Sequence, residues 1–345
     1  MNPLSFVVPF DQAAALEQIR AEGARFVAGG TNLIDLMKER VMLPQRLVDI
    51  NRLPLDVIEE QADGGLALGA LARNAATAYH PLVLERYPLL SAAILAGASP
   101  QIRNMASNGG NLLQRTRCHY FYDAEVPCNK REPGTGCPAI GGLSRQHAIL
   151  GASSACIATH PSDMCVALAA LEATVQVASQ RGERQIAFAD FHRLPGDTPE
   201  IDTNLAPDEL ITSISLPPAG QFAGHSIYLK LRERASYAFA LVSVAAMLDI
   251  GEDGAIREAR VALGGVAHKP WRVPAAEPLL HGAPDAGRFA AFADRLLEGA
   301  QGQGGNDFKI TMARRAIVRA LNMAVAGTYN NTGHTNGTVM TRGAA

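Results

Sequence analysis

"FVAGGTNLIDLMK", residues 26 to 38, joins an apolar strand pattern to an amphipathic helix pattern through a pair of glycines. Glycines at such a junction allow a ligand to approach the backbone, and the first turn of a helix offers N–H groups to a phosphate. The same residues also fit a tight turn in which Thr31 caps the helix. The G-x-G-x-x-G spacing of dinucleotide-binding loops is absent. The stretch therefore predicts an α/β unit whose turn either binds a phosphate or only reverses the chain.

The residues on either side repeat this alternation of helix and strand. Upstream, "DQAAALEQIRAEG" predicts a helix capped by Asp11, and downstream "QRLVDI" predicts another strand. Further patterns continue to Pro217 and Pro218, which mark a boundary, and a hairpin around "GEDG" with two helices follows. These patterns predict domains at 1–56, 57–218 and 222–326, and a polar tail at 327–345 that we expect to be flexible.

Length and composition exclude several classes of protein. A chain of 345 residues, 48% hydrophobic and 19% charged, is typical of a soluble protein with two or three domains. Its net charge of -2 offers no basic excess for a nucleic acid. The start, "MNPLSFVVPF", has no basic residue before a short apolar run that Pro9 interrupts, so we expect neither a signal peptide nor a membrane span. The chain is therefore predicted to be made in the cytoplasm without a signal of its own.

Five cysteines, an odd number without a secretory signal, argue against a disulfide framework. Cys165 lies in an apolar helical pattern, which predicts a small buried packing residue. The other four follow the spacing C-x9-C-x8-C-x18-C in a loop-rich stretch and are interpreted as metal ligands. Four thiolates suit either zinc or an iron–sulfur cluster, although the short paired spacing of common zinc sites is missing. These four are Cys118, Cys128, Cys137 and Cys156.

Two further loops combine small residues with short polar side chains. "IRNMASNGGNLL", residues 102 to 113, contains a second glycine pair, and "THPSDM", residues 159 to 164, places Ser162 and Asp163 after a proline. Two glycine loops on separate α/β units are suited to hold one diphosphate from both sides. Asp163, taken alone, is equally suited to cap the helix that follows it.

The order of these motifs carries a resemblance to a known family. "AGGTNL", "IRNMASNGGNLL", "PSD", "ELITSISLP" and "KLRERASYAFALVSVAAML" occur in the order found in the FAD-binding subunits of the xanthine dehydrogenase family, the molybdenum hydroxylases. The resemblance runs from residue 3 to about residue 325. It implies an α+β fold: a two-subdomain FAD-binding domain of the PCMH / vanillyl-alcohol oxidase type, followed by a C-terminal α/β domain of the CO dehydrogenase flavoprotein type.

The resemblance also implies which residues contact FAD. The two glycine loops would hold the diphosphate, and Lys230 would place positive charge near the pyrimidine edge of the flavin, with a solvated surface lysine as the alternative. The implied cofactor-binding residues are Phe26, Val27, Ala28, Gly29, Gly30, Thr31, Asn32, Leu33, Ala98, Ile102, Ala106, Ser107, Gly109, Gly110, Asn111, Leu113, Ser162, Asp163, Ile211 and Lys230.

The cysteine loop resembles a smaller branch of the family. "NLLQRTRCHYFYD", "PCNKR" and "ACIATHP" are similar to the FAD subunits of bacterial three-subunit aldehyde oxidoreductases, in which an inserted loop, here at about 114–157, holds one 4Fe-4S cluster. This implies that Cys118, Cys128, Cys137 and Cys156 each supply one thiolate, with zinc as the alternative. The basic side chains expected to offset the negative charge of such a cluster are Arg115, Arg117, Lys130 and Arg131.

The resemblance implies an electron-transfer subunit without catalytic residues of its own. Electrons would come from a large molybdenum-cofactor subunit and a small 2Fe-2S subunit, and FAD would pass them to an external acceptor. A twin-arginine signal on a partner would carry the folded complex to the periplasm without leaving a trace in this chain. Two alternatives remain: a metal-stabilised scaffold, and a self-sufficient oxidase of the vanillyl-alcohol type, for which the third domain leaves little room.

Overall fold

The computed structural model describes residues 4–328. Within that range the chain forms three sheets and twelve α-helices. None of these helices is both long enough and apolar enough to cross a membrane. The expected mixture of helices and sheets is therefore confirmed.

The first sheet is small and parallel, with the strand order β1-β3-β2. Asp11 caps the first helix as predicted, since its Oδ1 accepts a hydrogen bond of 2.7 Å from the N–H of Ala14. This helix packs on the sheet in a core with Leu16 and Val48, and the second helix packs through Met37 against Val27 and Leu47. The elements are β1 (Ser5–Val7), α1 (Gln12–Gln18), β2 (Ala24–Val27), α2 (Leu33–Lys38) and β3 (Arg46–Asp49).

The second sheet has five antiparallel strands in the order β4-β5-β8-β6-β7. Its strands are β4 (Ile58–Glu60), β5 (Leu66–Gly69), β6 (Thr174–Ser179), β7 (Gly182–Ala187) and β8 (Leu210–Leu216). Helices cover one face and enclose the largest apolar core of the protein. They are α3 (Asn74–Tyr79), α4 (Pro81–Arg86), α5 (Pro88–Ala96), α7 (Asn108–Leu112), α9 (Asp163–Ala170) and α10 (Phe188–Phe191). The helix α6 (Pro100–Met105) packs against α3, and α8 (His119–Tyr122) lies in the long connection between α7 and α9.

The third sheet is an antiparallel meander whose central strand is buried on both faces. Along that strand, Val244 and Ala246 face the two C-terminal helices, whereas Ala245 and Met247 join the core around α9. This sandwiching explains why the sequence there is apolar without alternation. The elements are β9 (Ser226–Leu231), β10 (Val242–Ile250), β11 (Ile256–Gly264), α11 (Ala286–Leu296) and α12 (Phe308–Val325).

The domain limits drawn from the sequence stay a prediction, although the sheets occupy residues 5–49, 58–216 and 226–264 in turn. Most of the expected flexible tail, 329–345, lies outside the described residues. Thr328, near the start of that tail, is fixed: its N–H donates to Gly224 over 2.7 Å, and its hydroxyl accepts from the N–H of Ser226 over 2.7 Å.

Candidate cofactor-binding site

A cleft of about 660 Å³ lies where the β2–α2 turn, the α6–α7 turn and the strand β9 meet. Its volume is in the range of pockets that hold organic ligands. Only two of the predicted FAD-contacting residues, Gly109 and Ile211, are missing from its lining. The predicted residues that do line it are Phe26, Val27, Ala28, Gly29, Gly30, Thr31, Asn32, Leu33, Ala98, Ile102, Ala106, Ser107, Gly110, Asn111, Leu113, Ser162, Asp163 and Lys230.

The glycine pair of the first turn has a packing reason. A Cβ atom added to Gly29 would lie 1.9 Å from the backbone oxygen of Met105, so the two turns approach each other too closely for a side chain. Gly30 adopts φ +71°, which favours glycine. Thr31 does not cap α2: the cap position is Asn32, and its side chain makes no capping hydrogen bond. The first turn is therefore held by contact with the second.

The second glycine pair lies in the first turn of α7 rather than in a loop, where one glycine faces the cleft and the other is buried. Ser107 caps α7, since its Oγ accepts a 3.2 Å hydrogen bond from the N–H of Gly110. Gly110 is exposed and lines the cleft, whereas Gly109 is buried against Ala70 and Ile211. Contact of Gly109 and Ile211 with a cofactor stays a prediction, and their observed role is to support the cleft wall from behind.

Asp163 and Lys230 form a buried ion pair at the side of the cleft. Lys230 Nζ lies 2.8 Å from Asp163 Oδ2, and the two side chains are only 4% and 9% exposed. Tyr228 donates a 2.6 Å hydrogen bond to Asp163 Oδ1. The helix cap is supplied instead by Ser162, whose Oγ accepts from the N–H of Cys165 over 3.1 Å. The alternative of a solvated surface lysine at position 230 is therefore wrong.

The four predicted metal ligands come together in the long connection between α7 and α9. Cys118 and Cys128 share a small apolar cluster with Phe121. Burial raises the pKa of Cys118 to about 11, and the nearby thiols of Cys128 and Cys137 contribute to that increase. Because Cys137 and Cys156 share a hydrogen bond, the pKa of Cys137 is lowered and that of Cys156 is raised. All four thiols are free, and none is fully exposed.

Local turns bring Cys128 and Cys137 together. Asn129 closes the loop twice: its N–H donates to the oxygen of Gly136 over 2.8 Å, and its Oδ1 accepts from the N–H of Gly136 over 2.7 Å. Gly134 and Gly136 have φ +86° and +109°, which side-chain-bearing residues rarely adopt. These turns explain how two of the four cysteines become neighbours within the folded loop.

Three of the four basic residues near the cysteines already have carboxylate partners. Lys130 Nζ lies 2.6 Å from Asp202 and Arg115 Nε lies 2.7 Å from it. Burial opposes the charge of Asp202, but these two cations hold its pKa below the ordinary value. Arg117 pairs with Asp35 over 2.9 Å, while Arg131 donates to backbone oxygens. The positive charge that these residues could contribute to a bound anionic cluster is therefore smaller than the sequence predicts.

The family model for the FAD binding domain in molybdopterin dehydrogenase matches residues 2–219, and the model for the CO dehydrogenase flavoprotein C-terminal domain matches residues 227–324. The chain belongs to the FAD-binding medium subunits of the molybdenum hydroxylases. The predicted family, the predicted fold class and the oxidoreductase assignment are confirmed, and the first part of this medium subunit is an FAD-binding domain.

Individual relatives agree with this assignment. The medium subunit is 52% identical over 309 residues to the aldehyde oxidoreductase FAD-binding subunit PaoB of Escherichia coli, a match that covers 89% of this chain and 93% of that protein. It is 31% identical over 253 residues to the glyceraldehyde dehydrogenase medium chain of Sulfolobus acidocaldarius, covering 73% and 71%. Among solved structures, carbon monoxide dehydrogenase from Hydrogenophaga pseudoflava matches with a TM-score of 0.73 and 25% identity, covering 94% and 98%.

One residue of the medium subunit has a role in the cleft that sequence reasoning missed. Arg117 precedes the first cysteine of the loop, yet its guanidinium reaches into the cleft, where it donates to Asp35 over 2.9 Å and to Asn32 over 3.2 Å. It also lies 5.2 Å from the centre of the Phe239 ring. No local pattern predicts this contact, because Arg117 and Asn32 are 85 residues apart in the chain.

The fifth cysteine of the medium subunit lies close to two histidines. The sulfur of Cys165 and ring nitrogens of His160 and His192 are all within 4.8 Å of one another. His192 Nε2 donates to the oxygen of Leu112 over 2.8 Å, which leaves a lone pair on Nδ1; His160 Nδ1 accepts from the N–H of Ser162 over 3.4 Å, which leaves the proton on Nε2. His160 Nε2 and His192 Nδ1 are both buried without a hydrogen-bond partner among the described residues. Exclusion of Cys165 from the metal centre stays a prediction.

The buried ion pair beside the cleft supports a stability prediction. We expect Asp163→Asn to lower the free energy of unfolding by about 3 kcal/mol, because Lys230 is then buried without its counter-charge. Chemical denaturation of the FAD-free protein measures this. The matched control is Asp294→Asn, which breaks an exposed pair with Arg314 and should change stability little. Equal stability of the two variants would contradict the interpretation of the 163–230 pair.

Proposed function

We propose that this medium subunit binds FAD and one 4Fe-4S cluster and transfers electrons within a molybdenum-containing aldehyde oxidoreductase complex. It receives electrons from a large molybdenum-cofactor subunit through a small 2Fe-2S subunit and passes them to an external acceptor. The observation that carries the proposal is the cleft itself, formed by two glycine turns in contact and joined to the cysteine loop by Arg117.

The residues present fit FAD. The cleft runs along the backbone of both turns, and at Gly110 the missing side chain keeps the space open: a Cβ atom there meets only Ser107 Oγ, at 2.9 Å. Backbone N–H groups at such positions bind diphosphate oxygens. We assign the diphosphate to the residues 27–33 and 106–111. When bound, FAD supplies a redox centre that exchanges electrons with one-electron carriers and with a two-electron acceptor.

The residues present also fit a four-thiolate cluster. Cys118 and Cys128 share an apolar cluster, a tight loop brings Cys137 near Cys128, and the Cys156 thiol lowers the pKa of Cys137. A 4Fe-4S cluster held there supplies a one-electron redox centre. Identity of 52% with an aldehyde oxidoreductase FAD-binding subunit favours the aldehyde branch of the family for this chain.

The charges in the cleft favour electron transfer over substrate chemistry. Three carboxylates line it within the described residues, and each is paired with a cation: Asp35 with Arg117, Asp163 with Lys230 and Glu233 with Arg145. A general base needs a carboxylate or imidazole that is free to accept a proton from the substrate. This arrangement supports a subunit that depends on its partners for oxidation of the substrate.

The proposal is tested by comparing the purified chain with the co-purified complex. We expect the isolated chain to carry flavin, iron and acid-labile sulfide, but its flavin should stay oxidised when an aldehyde is added without air. In the complex, the same aldehyde should bleach the flavin absorption. A colourless isolated chain would contradict cofactor binding, and aldehyde oxidation by the isolated chain would contradict dependence on partners.

A further inference from the structure

A buried histidine contacts one of the four grouped cysteines. His147 lies in the cysteine loop with 3% of its surface exposed, and its Nε2 is 3.1 Å from Cys118 Sγ. Its other ring nitrogen, Nδ1, is buried and has no hydrogen-bond partner among the residues that the structure describes. The imidazole's hydrogen bond to a side chain is therefore the one to the Cys118 sulfur.

The chemistry of a metal-bound sulfur fixes the direction of this hydrogen bond. A thiolate that binds a metal has no proton to donate, so it can only accept. His147 must then carry its proton on Nε2 and donate it to Cys118. The lone pair is left on Nδ1, where no donor competes for it among the described residues.

The C-terminal part of the chain holds His147 in place. Its backbone oxygen accepts hydrogen bonds from Lys309 Nζ over 2.8 Å and from Asn306 Nδ2 over 3.0 Å, both of which are fully buried side chains. Its N–H donates to the oxygen of Ser144 over 2.9 Å, and Ser144 Oγ in turn donates to the oxygen of Gln303 over 3.0 Å. The imidazole therefore has a fixed position next to the sulfur.

We propose that His147 sets the reduction potential of the cluster held by the four cysteines, by donating a hydrogen bond from Nε2 to the Cys118 thiolate. The reduced cluster carries one more negative charge than the oxidised cluster, so a donor to a ligating sulfur stabilises the reduced form more and raises the potential. Asn306 and Lys309 are positioning residues for this donor. The inference rests on the proposed 4Fe-4S site.

The test is a redox titration of the cluster in the co-purified complex, followed by its electron paramagnetic resonance signal. In His147→Leu the donor is absent, and we expect the reduced-to-oxidised ratio at a fixed potential to fall roughly tenfold, equivalent to a midpoint about 59 mV lower for one electron. His147→Gln keeps an N–H donor and should stay near the parent. The control His268→Leu removes another buried imidazole, 7% exposed and without a hydrogen bond to a cysteine among the described residues, and should leave the midpoint unchanged.

A second measurement starts from the parent complex itself. In the parent complex with ¹⁵N-labelled histidine, pulsed electron paramagnetic resonance of the reduced cluster should detect one weakly coupled ring nitrogen. This coupling should change in His147→Gln. An iron-loaded parent without that coupling, or an unshifted midpoint in His147→Leu, would overturn the role of His147. A parent without iron and sulfide would instead overturn the proposed cluster itself, so the two failures are distinguishable.

Discussion

Gly110→Val is expected to remove FAD from the protein while the iron stays bound. Gly110 is the exposed glycine of the second turn and lines the cleft, so a branched side chain there occupies space next to the backbone that would hold the diphosphate. Its Cβ meets only the end of the Ser107 side chain, which means that the backbone itself need not move. We expect at least a roughly tenfold loss of FAD affinity, or about 1.4 kcal/mol. Flavin and iron content per chain after purification measure the two effects separately.

Gly224→Val is the matched control for this experiment. Gly224 lies in a short helical turn outside the cleft, and a Cβ atom there meets no other atom within 4 Å. The variant makes the same chemical change and should keep its FAD. Equal flavin content in Gly110→Val and the parent protein would show that the second turn does not hold the cofactor.

Cys156→Ala should remove the metal centre, whereas Cys165→Ala should keep it. Both thiols are almost fully buried, and both variants remove one sulfur atom, so they differ only in position. The parent should contain about four iron and four sulfide per chain, as a cubane requires. Loss of one ligand should lower both and destabilise the loop, because ligand binding and loop folding are coupled. Cys165 packs in the core around α9, so its removal should cost only packing energy.

Metal analysis of the two variants decides this prediction. Stoichiometric zinc without sulfide in the parent would replace the cluster with the zinc alternative. Iron that is lost in Cys165→Ala but retained in Cys156→Ala would show that the ligand set is wrong. In that case the group of Cys165, His160 and His192 would have to be reconsidered as a metal site.

Local signals in the sequence were sufficient for most elements near the site. Asp11 precedes an amphipathic segment and caps it, and the glycine pair at 29–30 lies in a turn as expected, whereas the pair at 109–110 begins the helix α7. Such features depend on residues within a few positions of one another. The strand Ser5–Val7 gave no usable pattern because it has only three residues, and it forms by pairing with the distant strand Arg46–Asp49.

The sequence by itself determined the family, the order of the glycine turns and the four cysteines in one loop. The tertiary structure decided which neighbours each side chain meets. Ser162 rather than Asp163 caps α9, because Asp163 is paired with Lys230, 67 residues further on. Gly110 faces the cleft while Gly109 packs on the sheet, and His147 reaches Cys118 because Asn306 and Lys309 hold its backbone. These contacts join residues that are distant in the chain, and no local periodicity encodes them since they form only when the sheets and helices pack together.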